Sequence, residues 1–191
     1  LRDRDSIKKA LVGCKTLYHT AAYYSLWTRD KNLIYDINVQ GTRNILESAL
    51  EAGIEKVVYT STVGCIGLSE SGSPANEDQP MNPAFLCNDY KLSKYQAEQV
   101  ALELFGRGLP VVIVNPSTPV GPRDIKPTPT GQIILDFMNH KMPAYIDTGL
   151  NLIDVVDCAR GHILAEAKGQ PGERYILGNK NMSLKEILLN L

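Results

Sequence analysis

Residues 56–62 read KVVYTST, a short apolar run that ends in hydroxyl side chains. Two further runs of strand-forming residues lie on either side of it, at residues 16–22 and 110–116. Helical patterns of about four turns each cover residues 36–52 and 89–105, between these runs. Nearly continuous apolar strands that alternate with helices are what a parallel sheet covered on both faces requires. The sequence therefore predicts an α/β fold with a parallel sheet and flanking helices.

The pattern of the chain changes near residue 120. Five prolines fall within residues 119–143, and short segments replace the regular alternation of strands and helices. Prolines interrupt both helices and central strands, so a regular sheet is not expected to continue through this part. We therefore predict a sheet domain over residues 1–120 and a smaller appended region over residues 121–191.

Composition narrows the class of protein. The 191 residues include 20 Lys and Arg against 21 Asp and Glu, a formal net charge of −1. That balance argues against a nucleic-acid partner and a polybasic membrane surface. The longest aliphatic run, residues 111–114, is far shorter than the roughly 20 residues that a membrane span needs. Because the four cysteines lack CxxC spacing and the three histidines are scattered, we expect free thiols, a cytoplasmic location and no metal.

The pair Tyr90 and Lys94 is the most informative candidate for a catalytic site in the sequence. A spacing of four places both side chains on one face of the helix predicted over residues 89–105. A phenol with a pKa of about 10 is a poor proton carrier at neutral pH, whereas a neighbouring ammonium favours the phenolate. We therefore expect Lys94 to lower the pKa of Tyr90 and to make it a usable acid/base. Without the neighbouring segments, the spacing of Tyr90 and Lys94 also fits two ordinary residues on a solvent-exposed helix face.

The neighbouring segments place polar groups beside this pair. Thr60, Ser61 and Thr62 end a predicted parallel strand at its carboxyl end, where open α/β sheets bind ligands. A hydroxyl there can hold a substrate oxygen, although it can also simply satisfy a turn. Asn38, near the start of the first long helix, is either a helix-start residue or a group whose amide holds a water or backbone carbonyl near the site.

The chain resembles the extended short-chain dehydrogenase/reductases, the NAD-dependent epimerase/dehydratase family, in five segments with that family's order and spacing. They are HTAA at 19–22, NVQGT at 38–42, VYTST at 58–62, Tyr90 with Lys94, and NPS at 115–117. Residues 115–126 and 149–155 look like a bacterial branch of dihydroflavonol-4-reductase-like proteins and hopanoid-associated sugar epimerases. The resemblance covers essentially the whole chain. It implies an incomplete Rossmann-like parallel sheet over residues 1–120 and part of a substrate-binding region over residues 121–191.

The resemblance also assigns roles by position. Tyr90 matches the catalytic acid/base and Lys94 its partner, which also binds the nicotinamide ribose. Thr62 falls where the family usually has serine, and Asn38 matches the asparagine at a helix kink. The residues expected to line the cofactor, besides Tyr90 and Lys94, are Thr20, Ala21, Ala22, Thr60, Asn115, Pro116 and Ser117. Where the family often has two adjacent acids, the chain reads Val156-Asp157, which puts a role for such a pair in doubt.

The family's glycine-rich turn, which holds the dinucleotide pyrophosphate, does not occur before Tyr90. We expect about 60 to 70 residues of two further βα units ahead of Leu1, and a carboxyl end that is also cut. The cofactor is therefore expected to be NAD or NADP, with the choice left open. As it stands, the chain is not expected to bind the dinucleotide tightly.

Three functions remain in view. The first is an NAD(P)-dependent oxidoreductase acting on a small-molecule ketone or secondary alcohol. The second is a sugar-nucleotide epimerase or dehydratase, whose diphosphate needs basic groups; the candidates are Arg123, Lys126, Lys141 and Arg160. The third is a non-catalytic dinucleotide sensor or scaffold. We also expect a homodimer that forms through the helices at residues 36–52 and 89–105, as in the family.

Overall fold

The computed structural model describes residues 1–25, 28–69 and 73–191. The helices are α1 (Arg4–Leu11), α2 (Lys31–Tyr35), α3 (Gly41–Glu51), α4 (Asp89–Gly106), α5 (Pro129–Met138), α6 (Val155–Lys168) and α7 (Leu184–Leu189). The strands are β1 (Thr16–His19), β2 (Lys56–Thr60), β3 (Val111–Pro116), β4 (Thr118–Val120), β5 (Gly149–Asp154), β6 (Arg174–Leu177) and β7 (Lys180–Ser183). A π-helical turn, Asp36–Gln40, joins α2 to α3.

The four strands β1, β2, β3 and β6 form one parallel sheet in that order, which confirms the predicted α/β class. Every residue of β3 is buried, as expected for a central strand with helices on both faces. Val57 pairs with Val111 and Thr60 with Val114. This register brings the carboxyl ends of β2 and β3 to the same edge of the sheet, where the predicted hydroxyl groups lie.

Side chains of β2 alternate between two cores. Val57 and Tyr59 face a cluster with Leu46 and Leu104, from α3 and α4. Val58 faces the opposite cluster, which includes Ala165 of α6. Full burial of one such aliphatic side chain stabilises the fold by about 1.5–3 kcal/mol relative to exposure. The sheet thus forms a rigid layer that separates α4, which carries Tyr90 and Lys94, from α6.

The division at residue 120 needs a correction. The fourth strand of the parallel sheet, β6, comes from the region that we placed outside it, and α6 covers one face of that sheet. Two other strands of this region, β5 and β7, form a second sheet with β4, in which β4 pairs with β5 in parallel and β5 with β7 antiparallel. The sequence prediction missed β6 because RYIL, at residues 174–177, is too short to stand out from its surroundings. A separate substrate-binding role for residues 121–191 stays a prediction.

The element boundaries differ from the sequence prediction at several places, most of all at the end of β1 and the start of the first long helix. β1 ends at His19, so residues 20–22 belong to the following loop. The first long helix begins at Lys31, before the predicted residue 36, because the Asp30 carboxylate accepts hydrogen bonds from the backbone N–H groups of Asn32 and Leu33. α4 begins where predicted and ends one residue later, at Gly106.

Among the described residues, no helix is long and apolar enough to cross a membrane. The same part of the chain contains no group of three or more His, Cys, Asp or Glu side chains placed to hold a metal ion. The four cysteines are free thiols. The homodimer through residues 36–52 and 89–105 and the cytoplasmic location stay predictions.

Candidate active site

A cavity of about 850 Å³ opens at the carboxyl edge of the parallel sheet. Thr60 at the end of β2, with Ser61 and Thr62 directly after it, lines the cavity together with Tyr90 from α4. Pro116 and Ser117 line it where β3 ends. Parallel strands bring the carboxyl ends of both strands to one edge, which is where open α/β sheets bind ligands. The structure therefore brings five of the eleven predicted site residues to one cavity: Thr60, Thr62, Tyr90, Pro116 and Ser117.

Tyr90 lies in the first turn of α4 and reaches the cavity wall. The Asn88 side chain caps this helix by accepting a hydrogen bond from the backbone N–H of Lys91. The Tyr90 ring packs at a tilt on the ring of Tyr24, with 4.7 Å between the ring centroids. Burial raises the pKa of Tyr90 well above its usual value, and the nearby Tyr24 and Cys65 raise it further. The phenol is therefore protonated at neutral pH.

Lys94 does not have the effect on Tyr90 that we predicted from the sequence. Its ammonium donates a hydrogen bond to the backbone carbonyl of Thr60 at 2.7 Å and lies 3.4 Å from the hydroxyl oxygen of Tyr59. Burial lowers the pKa of Lys94 to about 8, against the opposing influence of Cys65 and Glu98. The expected lowering of the Tyr90 pKa is thus wrong for the protein alone, because desolvation outweighs the charge of a lysine that is engaged elsewhere.

Thr62 has the turn-capping role that the sequence offered, and its role toward a substrate oxygen stays a prediction. Its hydroxyl oxygen accepts a hydrogen bond from the backbone N–H of Gly64 at 3.1 Å and so caps a short 3₁₀ turn, Val63–Cys65. A hydroxyl that accepts one bond still has its own proton to donate. Because Thr62 also lines the cavity, that proton is available to an oxygen atom of a ligand. The threonine is therefore suited to hold a carbonyl oxygen beside Tyr90.

Asn38 lies in the π-helical turn, which confirms the irregular helix that the resemblance implied at this position. Its side chain is 2% exposed and lies outside the cavity lining. The amide accepts from the backbone N–H of Tyr23 at 2.7 Å and donates to the carbonyl of the same residue at 3.1 Å. It also donates to Ser93 at 3.0 Å, whose hydroxyl donates to the backbone carbonyl of Tyr90. Asn38 therefore positions the Tyr90 turn against the loop that carries Tyr24.

The predicted cofactor residues divide into three groups. Thr60, Pro116 and Ser117 line the cavity together with Tyr90. Asn115 is fully buried beneath it, where its amide donates to the Thr62 carbonyl and to the Glu98 carboxylate, both at 2.9 Å. Thr20, Ala21 and Ala22 are exposed in the loop after β1, an edge strand of the described sheet, outside the cavity lining. Their contact with a cofactor stays a prediction.

The region after β3 supplies the rest of the cavity wall. Of the four basic candidates, Arg123 lines the cavity in a left-handed backbone conformation, with φ of 74°. Arg160 instead pairs with Asp157 at 3.0 Å on the exposed surface of α6. The Asp157 carboxylate therefore lies on the surface and pairs with Arg160 instead of with a second acidic residue. Lys126 and Lys141 are exposed and lie outside the cavity lining.

Three side chains near the site escaped the sequence analysis. Tyr24 packs on Tyr90 and lines the same cavity as Thr130, at the start of α5. Ser93 links Asn38 to Tyr90, and His162 contacts the hydroxyl of Thr60 at 2.9 Å. A serine three residues after Tyr90 has the spacing to reach the same helical turn, which could have indicated its role. Tyr24 and His162 are brought to the site by tertiary packing alone.

Comparison with known proteins agrees with this geometry. The sequence matches the NAD dependent epimerase/dehydratase family over residues 1–178. A Synechocystis protein provisionally named dihydroflavonol 4-reductase is 53% identical over 195 residues, covering 100% of this chain and 57% of that protein. The crystal structure of gox2253 matches with a TM-score of 0.93 at 51% identity, covering 98% of this chain and 57% of that one. This chain thus spans little more than half the length of these relatives.

A more distant structure carries a bound dinucleotide. It is a double mutant of DesIV, a dTDP-glucose 4,6-dehydratase from Streptomyces venezuelae, solved with NAD and DAU bound. Its TM-score is 0.84 at 28% identity, covering 99% of this chain and 61% of that one. The family match, the relatives and the parallel sheet confirm the resemblance found in the sequence. The chain belongs to the NAD-dependent epimerase/dehydratase family.

Proposed function

We propose that this protein is a nicotinamide-dependent oxidoreductase that interconverts a ketone and a secondary alcohol. The observation that carries the proposal is that Tyr90 and Thr62 both line the cavity at the carboxyl edge of the sheet. One is a protonated phenol and the other a hydroxyl with a proton to donate. Two such donors beside one cavity are suited to an oxygen atom that gains negative charge during a reaction.

The residues around the cavity also fit a polar cofactor. The hydroxyl oxygen of Ser117 is buried, lies at the cavity wall and has no hydrogen-bond partner among the described residues. A buried hydroxyl without a partner is costly, so a ligand that supplies one would be stabilised there. Thr60 and Ser117 are the residues of this chain that would hold the dinucleotide near its nicotinamide, and the Lys94 ammonium supports them through its bond to the Thr60 backbone carbonyl. When bound, the nicotinamide supplies or accepts the hydride.

In the reductive direction, this chain supplies a proton and holds an oxygen. Thr62 donates a hydrogen bond to the substrate carbonyl oxygen, and Tyr90 transfers its phenolic proton to that atom as negative charge develops. Burial raises the pKa of Tyr90, so the phenol is protonated at neutral pH, and the transfer depends on the negative charge that the substrate oxygen gains. The oxidative direction requires the phenolate, which the environment in this structure disfavours.

A sugar-nucleotide epimerase is the second candidate, because the family and its structural relatives include such enzymes. A diphosphate needs several basic groups, whereas Arg123 is the basic residue in the cavity lining of the described chain. Away from the strand ends, much of that lining is apolar, with Val120, Ile134 and Leu150 among its residues. These features favour an apolar ketone over a sugar nucleotide.

Turnover of NADH and NADPH by the full-length protein tests the proposal. We expect nicotinamide oxidation with apolar cyclic or aryl ketones, measured by absorbance. Incubation with a sugar nucleotide and no added cofactor, followed by NMR, would reveal an epimer if the second candidate were correct. Dinucleotide binding without turnover of any substrate would favour the sensor or scaffold.

A further inference from the structure

His162 approaches the cavity wall from behind the sheet, on the side opposite α4. Its Nε2 atom lies 2.9 Å from the hydroxyl oxygen of Thr60, the last residue of β2. Its Nδ1 atom lies 2.8 Å from the backbone carbonyl oxygen of Cys158, one turn earlier in α6. Both ring nitrogens are thus engaged, and the imidazole is held in one orientation.

The partner of Nδ1 determines where the proton of the neutral imidazole lies. A carbonyl oxygen can only accept a hydrogen bond, so Nδ1 must carry the proton that it donates to Cys158. Nε2 is then an acceptor, and the Thr60 hydroxyl must donate to it. Since the only proton of that hydroxyl is used in this bond, its oxygen can act toward the cavity only as an acceptor.

The hydroxyl group of Thr62, two residues further along the chain, has the opposite hydrogen-bonding role. Its oxygen already accepts a bond from the backbone N–H of Gly64, and its proton remains available. Both threonines line the same cavity. The wall therefore presents an acceptor at Thr60 and a donor at Thr62, a pattern that the two identical side chains do not reveal in the sequence.

We propose that His162 is a positioning residue that fixes Thr60 as a hydrogen-bond acceptor, so that this part of the cavity selects an N–H or O–H group of the ligand. A carbonyl oxygen is directed to Thr62 instead. This inference rests on the proposed function, because the ligand whose amide or hydroxyl group meets Thr60 is taken to be the nicotinamide dinucleotide. A purely structural role, in which His162 only ties α6 to β2, would set no such preference.

The position of the imidazole proton can be measured without any ligand. Long-range ¹H–¹⁵N NMR spectra at pH 8.5, where imidazoles are neutral, distinguish the two tautomers. Because the sequence has only three histidines, a His162→Gln variant assigns the signals of His162. We expect His162 to show the Nδ1–H tautomer. The Nε2–H tautomer would overturn the inference, because Thr60 would then accept from His162 and donate to the cavity.

A double-mutant cycle tests the effect on the ligand. We expect His162→Leu and Thr60→Val in the full-length protein each to raise the Kd of NAD or NADP about three- to tenfold, the value of one hydrogen bond. The double variant should be no weaker than Thr60→Val, since both changes remove the same contact. His162→Gln should recover most of the affinity, because its amide oxygen can also accept from Thr60. His140→Asn, on the exposed surface, is the matched control.

Independent, additive losses would overturn the inference, as would an unchanged Kd in His162→Leu. Thermal unfolding of each variant separates loss of binding from loss of fold. If the wild-type protein binds neither dinucleotide, the proposed function fails and the ligand preference fails with it. The NMR spectra then still decide whether His162 fixes the Thr60 hydroxyl.

Discussion

The Lys94 ammonium donates to the backbone carbonyl of Thr60 at 2.7 Å, and it lies 5.0 Å from the centre of the Tyr59 ring. The lysine is 4% exposed, so both contacts are shielded from water. Together they tie α4 to the end of β2, the two elements that carry Tyr90 and Thr62. Lys94 thus fixes the relative position of the proton donors as well as supplying a charge near the cavity.

The charge of Lys94 should control the pH dependence of ketone reduction. With a pKa of about 8, the side chain is cationic at pH 7 and loses its charge as pH rises through 8. We expect kcat/KM for reduction to fall by up to tenfold per pH unit above pH 8, since the raised pKa of Tyr90 keeps the phenol protonated there. Steady-state rates from pH 6 to 10 provide the measurement. A Lys94→Arg variant, which keeps its charge, should lack this inflection; the same inflection in that variant would contradict the assignment.

Removal of the Asn38 amide should loosen the Tyr90 turn. Asn38→Ala leaves the backbone N–H and carbonyl of Tyr23 without their side-chain partner in a partly buried site and removes the bond that Ser93 accepts, which costs about 1–3 kcal/mol. We expect that loss in urea unfolding, together with a lower kcat and a smaller change in KM. Gln99→Ala, on the exposed face of α4, is the control and should unfold like the wild type. Wild-type kcat in Asn38→Ala would show that the amide does not position Tyr90.

His19 should make the protein sensitive to acid. Burial, aided by the nearby charge of Lys94, lowers its pKa to about 3, whereas an unfolded histidine has a pKa of about 6.5. The unfolded chain therefore binds a proton as pH falls below 6.5, and the folded chain does so only near 3. Stability should fall with pH across that window by up to about 1.4 kcal/mol per pH unit from this residue. Urea unfolding at several pH values should show a shallower decline for His19→Gln; equal slopes would refute the contribution.

The hydroxyl of Thr62 should be needed for the reaction more than for the fold. Thr62→Val keeps the shape of the side chain but removes the proton for the substrate oxygen, so we expect kcat to fall about 100-fold. Thr62→Ser keeps the hydroxyl and should retain most of the activity. Rates of nicotinamide oxidation for both variants, compared with their unfolding midpoints, distinguish the two effects. Equal kcat for the valine and serine variants would exclude Thr62 from holding the oxygen.

The sequence predicted the parts of the fold that local patterns determine. Apolar runs identified β2 and β3, and capping residues and apolar spacing identified α4. β6 escaped because a strand of four residues at the far end of the chain is defined by its pairing with β3. Residues 121–191 therefore looked separate in sequence, whereas their strand β6 pairs with β3 in the parallel sheet.

The sequence predicted which residues form the candidate site better than it predicted their pKa values. Tyr90, Thr60 and Thr62 reach the cavity because helix and strand periodicity already placed them at the correct edge. The pKa of Tyr90 was predicted in the wrong direction, because the spacing to Lys94 shows neither burial nor the competing carbonyl of Thr60. The contact of His162 spans 102 residues of sequence, and no local pattern indicates it.

The role of Tyr90 as the proton donor is tested most directly by the turnover of Tyr90→Phe in the full-length protein. The change removes one oxygen atom and keeps the ring that packs on Tyr24. Tyr18→Phe, at an exposed position on β1, is the matched control. We predict that kcat for ketone reduction falls at least 100-fold in Tyr90→Phe, with unchanged dinucleotide affinity and unfolding midpoint, and stays at the wild-type value in Tyr18→Phe. Near-wild-type turnover in Tyr90→Phe would contradict the account.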